Sequence, residues 1–88
     1  MGWAFSGNSA SDSGGAIYNL ATATIQDCVL SSNTAANFGG GIYNGASGTL
    51  TLDDSIVHGN TAPPGAGADL FNLGAFSSND NIIGVIAP

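Results

Sequence analysis

The chain has 88 residues, of which six are acidic and none is Lys or Arg, giving a formal net charge of −6. That balance excludes partners held through their phosphates, which require cations: no nucleic acid and no anionic lipid surface is expected. No window has the apolar length of a membrane span, so no membrane insertion is expected either. With 43% hydrophobic residues the chain is not simply disordered, and 14 glycines among many Ser, Asn and Thr favour tight turns over helices.

Met1-Gly2-Trp3 is followed by no basic region and no long apolar run, so no signal peptide is expected. The first recurring motif is Gly14-Gly15-Ala16-Ile17-Tyr18-Asn19. It returns as Gly39-Gly40-Gly41-Ile42-Tyr43-Asn44, 25 residues on, and more loosely as Gly67-Ala68-Asp69-Leu70-Phe71-Asn72, after a further 28. Thr22-Ala23-Thr24-Ile25 returns as Thr49-Leu50-Thr51-Leu52. Cys28-Val29-Leu30 returns as Ser55-Ile56-Val57 and then Ile82-Ile83-Gly84, at spacings of 27 and 27. Asn8, Asn33 and Asn60 keep the same rhythm. The extra residues 45–48 and 63–64 are rich in Gly, Ser and Pro, as loop insertions in a repeat should be. One domain over residues 1–88 is expected, with repeats at approximately 5–29, 30–56 and 57–84.

Each repeat holds three short apolar segments. The middle ones alternate, Thr22 and Thr24 against Ala23 and Ile25, then Thr49 and Thr51 against Leu50 and Leu52. Period two places every second side chain on one face, which is strand patterning. No stretch has helical periodicity. The fold class is all-β: a parallel β-helix, or solenoid, of about three coils, with strands stacked about 4.8 Å apart. Ile17, Ile42 and Leu70 are expected to form one interior ladder. Ala23, Leu50 and Ser77 form a second beside Ile25 and Leu52, and Cys28, Ser55 and Ile82 a third beside Leu30 and Val57. Asn19, Asn44 and Asn72 should stack at one corner, and Asn8, Asn33 and Asn60 at another. A flat β-sandwich would explain the alternation but not the register of three repeats.

Phe5-Ser6-Gly7-Asn8 followed by Gly14-Gly15-Ala16-Ile17 resembles the paired FxxN and GGAI motifs of chlamydial polymorphic outer membrane proteins. Variants follow as Leu30-Ser31-Ser32-Asn33 with Gly39-Gly40-Gly41-Ile42, and as Val57-His58-Gly59-Asn60 with Gly67-Ala68-Asp69-Leu70. The resemblance covers almost the whole chain. It implies a right-handed β-helix of the pectin-lyase-like type, in a family whose passenger domains are autotransported, adhesive and exposed at the cell surface. The family's translocator barrel and secretion signal are not read in these residues.

Asp53-Asp54 with His58 is the most catalytic-looking cluster, because paired carboxylates serve glycosidic bond cleavage. Adjacent strand residues face opposite sides, however, and the basic residue that polygalacturonases of this fold class use is absent from the chain. No enzyme, catalytic residue or cofactor is expected. Asp27, Asp54 and Asn81, spaced 27 and 27, would form a column of oxygens of the kind Ca²⁺ takes, or simply a polar turn column; no metal site is assigned. His58 reads as a surface residue. Cys28 has no partner for an internal disulfide and reads as a small buried residue or an intermolecular bridge.

Two kinds of outward surface remain. Thr22, Thr24, Thr49 and Thr51 make a small threonine face, a feature shared with ice-binding solenoids, which the third coil should break with Phe76 and Ser78. Tyr18, Tyr43 and Phe71 form an aromatic stripe and Val29, Ile56 and Ile83 an aliphatic one. Contiguous apolar ladders mark interfaces, and aromatic ones also stack on sugar rings. A non-catalytic structural or adhesive module is expected, presenting flat strand faces for self-association or partner binding. The alternatives are a carbohydrate-binding or carbohydrate-active β-helix fragment, and an ice-binding protein. A homo-oligomer is expected, with carbohydrate or a cell surface as the other candidate partner. Residues 1–5 and 82–88 are apolar and show no obvious cap, so both side-by-side packing and end-to-end stacking are open.

Overall fold

Alternating apolar residues and left-handed turn positions wind the chain into stacked coils. The computed structural model describes residues 3–87; Met1, Gly2 and Pro88, parts of the two apolar ends, lie outside the described residues. The first coil holds β1 (Trp3–Ser6), β2 (Ser9–Ala10), β3 (Ile17–Asn19) and β4 (Thr22–Gln26). The second holds β5 (Cys28–Ser31), β6 (Thr34–Ala35), β7 (Ile42–Asn44) and β8 (Thr49–Asp53). The third holds β9 (Ile56–Val57), β10 (Leu70–Asn72) and β11 (Ala75–Asn79). A fourth begins with β12 (Ile82–Ile83) and β13 (Ile86–Ala87).

Every pairing is parallel, and each strand pairs with its counterpart one coil away. The sheets run β1-β5-β9-β12, β3-β7-β10-β13, β4-β8-β11 and the short β2-β6. No helix occurs among the described residues. The protein is a parallel β-solenoid of about three turns, as the repeat predicts. The fourth sheet, β2-β6, was not foreseen: its two-residue strands are too short to show alternation.

The core runs along the solenoid axis. Ile17 pairs with Ile42 and Ile42 with Leu70, the expected ladder. Ile42 and Leu70 are fully buried, while Ile17, in the end coil, is half-buried. Leu30, Leu50, Leu52 and Val57 fill the rest of the interior with Ile25 and Cys28. Each fully buried Leu or Ile contributes roughly 1.5–3 kcal/mol.

The third coil corrects three expectations through one offset. The connection from β10 to β11 has the length of that from β3 to β4, whereas the one from β7 to β8 is longer. Partners therefore arrive one residue earlier than a constant spacing places them. Leu50 pairs with Phe76, Thr51 with Ser77 and Leu52 with Ser78. Phe76 packs against the core and Ser77 is exposed, the reverse of the expected orientation. The same offset pairs Ile82 with Ile56 and Ile83 with Val57. Ile82 is thus exposed and Ile83 packs on the core, so Ile83 leaves the outward stripe and Ile82 leaves the interior ladder. A slip of one residue exchanges the faces of a whole strand.

Glycine explains the paired motif. Gly14, Gly39 and Gly67 have φ of 68°, 64° and 65°, the left-handed turn that leads into β3, β7 and β10. The second glycine is needed for a different reason. A Cβ on Gly40 would strike the carbonyl oxygens of Ala68 and Thr61 in the next coil, and one on Gly15 would strike that of Gly40.

Asparagine columns close two corners. Asn19 Nδ2 donates to Asn44 Oδ1 at 2.8 Å, and Asn44 Nδ2 donates to Asn72 Oδ1 at 2.7 Å. In the other column Asn8 donates through N and Nδ2 to Asn33 Oδ1, and Asn33 does the same to Asn60 Oδ1. Among the described residues no buried side-chain nitrogen or oxygen lacks a partner, which is how a narrow interior tolerates polar corners.

Candidate interaction faces

The sheet β1-β5-β9-β12 turns one side to the core through Leu30, Val57 and Ile83 and the other outward through Ala4, Val29, Ile56 and Ile82. Ala4 pairs with Val29, Val29 with Ile56 and Ile56 with Ile82. Val29 and Ile56 are 40% and 39% exposed and Ile82 is 61% exposed. The outcome is an unbroken aliphatic stripe along the solenoid axis. Two of its predicted members, Val29 and Ile56, lie on it; Ile82 takes the place expected for Ile83.

The aromatic residues sit on β3, β7 and β10 with Tyr18 paired to Tyr43 and Tyr43 to Phe71. The rings of Tyr18 and Tyr43 stack with centroids 4.9 Å apart, and those of Tyr43 and Phe71 at 5.7 Å. Phe38, in the turn before Gly39, lies 4.6 Å from Phe71 at a tilt of 36°. The exposed flank expected for Phe71 is therefore absent: Phe71 is buried, while Tyr18 is 55% exposed. The ladder has turned its ring faces on itself, and Tyr43 has a ring on each side. A sugar stacks on an open ring face, and this arrangement leaves few. Phe38 escaped the sequence reading because it lies outside the strands, where no periodicity marks it.

The sheet β4-β8-β11 carries Thr22, Thr49 and Ala75 in one outward row along the axis, and Thr24, Thr51 and Ser77 in the next. A third row is Gln26, Asp53 and Asn79. Asp53 accepts hydrogen bonds there from Gln26 Nε2 at 3.5 Å and Asn79 Nδ2 at 3.2 Å. Of the two threonine rows, the one through Thr24 and Thr51 continues as a hydroxyl in the third coil, while the one through Thr22 and Thr49 ends on Ala75. Phe76, expected outward, packs on the core, while Ser78 pairs with the inward Leu52 but is exposed.

Asp54 does not join Asp53 on this face. It sits at the following corner with φ of 50°, exposed, in a column with Asp27 at 53° and Asp80 at 53°. Asp is one of the few side chains that tolerate the left-handed region. Asn81, expected in this column, lies one residue past it. Its Oδ1 accepts from Ser55 N at 2.8 Å and its Nδ2 donates to Leu52 O at 2.7 Å, so it closes the strand corner. Cys28 is buried, and its N–H donates to Ser55 Oγ at 3.1 Å. His58 is exposed.

Asp69 is the residue that the sequence reading passed over. It is buried, although its counterparts in the repeat are Ala16 and Gly41. Its Oδ1 accepts from both Asn60 N and Asn60 Nδ2 at 2.9 Å, and its Oδ2 accepts from Val85 N at 2.8 Å. The signal was a charge at a position the other repeats keep small.

Residues 4–20 and 27–45 match the family model of the Chlamydia polymorphic membrane protein repeat. The two segments take in the FxxN and GG-x-I motifs of the first and second coils, so the resemblance read from those motifs rests on a family match. No curated protein and no solved structure gives a significant match.

Proposed function

For a solenoid that carries Chlamydia polymorphic membrane protein repeats, a fold and repeat that fit a structural or adhesive module, we propose a non-catalytic role in which the Val29–Ile56–Ile82 stripe packs side by side against a second copy. The stripe is the observation that carries this reading. It is apolar, contiguous across three coils and level with the strand surface, and contiguous apolar patches mark contact surfaces. The acidic pair supports the absence of catalysis, since Asp53 lies within a strand face and Asp54 at a corner. Tyr43, enclosed by Tyr18 and Phe71, weighs against a sugar-stacking surface.

The magnitudes set the strength. These side chains are already about half-buried, so each contributes on the order of 1 kcal/mol on full burial. Association costs at least about 4 kcal/mol in lost freedom. Three side chains from each copy, about 6 kcal/mol together, exceed the lower end of that cost only narrowly. Pairing of one module with another is therefore weak and draws on flanking Ala4 and the strand backbone. Linked modules would gain through effective concentration, which suits a repeat that presents the same face coil after coil.

Sedimentation equilibrium from about 10 μM to 1 mM tests the reading over the affinity range it implies. The average mass should rise with concentration and fall back to the monomer value in Ile56→Lys. A monomer throughout, or self-association that Ile56→Lys leaves unchanged, would overturn it.

A further inference from the structure

The two ends of the solenoid are chemically different, and the asymmetry lies in the asparagine column. Asn33 and Asn60 use Oδ1 to accept from the coil before, and all three asparagines use Nδ2 to donate onward. Asn8 donates to Asn33, Asn33 to Asn60, and Asn60 to Asp69. Both carboxyl oxygens of Asp69 accept hydrogen bonds, and unlike an asparagine it has no amide to donate. The column thus ends on a group with nothing to donate to a further coil.

The chain path agrees. In the first three coils ten or more residues separate the strand of the β1-β5-β9-β12 sheet from the strand of the β3-β7-β10-β13 sheet. In the fourth, β12 and β13 are joined by Gly84 and Val85 alone. The turn cuts across the corner where the next asparagine would stand, and the Asp69 carboxylate occupies that place. It holds the shortcut by accepting from Val85 N, while Val85 O accepts from Asp69 N at 3.1 Å and Leu70 N at 3.0 Å.

The motif residues change to match. Gly15 and Gly40 lack a Cβ because the coil above approaches too closely, but the third repeat carries Ala68 there. A side chain fits at Ala68 only because the shortened turn leaves the place above it without a stacked segment. Ala68 and Asp69 together fill the space that a full fourth coil would use.

We propose that Asp69, with Ala68 and the Gly84–Val85 shortcut, is a terminator at the asparagine corner: it closes that corner against the stacking of a further full-length coil, including one from a second copy. Exposed strand edges template further pairing unless they are blocked, and terminal repeats carry the block in stacked proteins. End-to-end growth, open on sequence grounds, is opposed at this corner, while β11, β12 and β13 remain the outermost strands of their sheets. The inference stands apart from side-by-side packing through Val29, Ile56 and Ile82.

Asp69→Asn tests it in the full chain, made in the Ile56→Lys background so that lateral packing does not obscure the readout. Its amide can accept from Asn60 but turns a donor toward Val85 N. Val85→Pro in the same background removes that N–H while leaving Asp69 intact, and serves if Asp69→Asn fails to fold. Hydrogen exchange at Asp69 and Leu70 should quicken by about ten-fold or more as the fourth turn opens. Light scattering should then show particles that keep growing with concentration, while the chain with Asp69 and Val85 does not grow. Open amides without growth, or growth when Asp69 and Val85 are both in place, would overturn the terminator. Unchanged exchange and unchanged size in both variants would do so as well.

Discussion

Asn33 and Asn60 stand 27 residues apart in sequence and one coil apart in space, and Asn60 Oδ1 accepts from both the backbone N and the Nδ2 of Asn33 at 2.9 Å. Asn33 also donates to Phe5 O at 3.0 Å and accepts from Asn8. One side chain therefore ties three coils together, and it is wholly buried.

Asn33→Ala should cost about 2–4 kcal/mol, because several buried groups lose a partner at once. At roughly 4–8 °C per kcal/mol for a domain of this size, the melting temperature should fall by at least about 8 °C. Asn33→Asp should be worse, since it turns a carboxylate oxygen toward Phe5 O and Asn60 Oδ1. Thermal unfolding followed by circular dichroism checks both. A loss below about 0.5 kcal/mol, the range of ordinary surface changes, would contradict the column's role.

The paired glycines make a contrasting prediction. Gly40→Ala should destabilise by about 2 kcal/mol or more, because its Cβ meets backbone carbonyls that belong to the neighbouring coil rather than a movable side chain. Ala68→Gly, the same position one coil later, should cost no more than about 1 kcal/mol, the conformational penalty of glycine. Denaturant titration of the two variants decides it. Equal costs would mean that coil-to-coil contact does not select the glycine.

Ile42 sits at the middle of the interior ladder with no exposed surface. Ile42→Asp places an unpaired charge there and should prevent folding, whereas Ile42→Val should cost only about 0.5–1.5 kcal/mol. A folded Ile42→Asp protein with a native far-ultraviolet spectrum would contradict the ladder.

The first two coils were legible because each motif recurs at nearly constant spacing, so Ile17 over Ile42 and Asn19 over Asn44 follow from counting. The third was not, because one loop differs in length and counting carries that error forward. Ser77 for Phe76 and Ile83 for Ile82 are the same slip, and alternation alone does not reveal it in a strand reading Ala-Phe-Ser-Ser-Asn. The outward stripes were legible in kind, since a residue next to an inward one must face away. Burial of Phe71 was not, because it depends on Phe38 arriving from a turn of another coil. Asp69 was visible as a lone charge in a repeat of small residues, but its role needs the shortcut through Gly84, which only the fold displays.

The claim that the aliphatic stripe is the contact surface is tested most directly by placing a thiol on it. In a Cys28→Ser background, Ile56→Cys should yield disulfide-linked dimers on mild oxidation. Thr24→Cys, on the β4-β8-β11 face, should remain mostly monomeric under the same conditions. Cross-linking from Thr24→Cys that equals or exceeds that from Ile56→Cys, or none from Ile56→Cys at any concentration, would contradict the account.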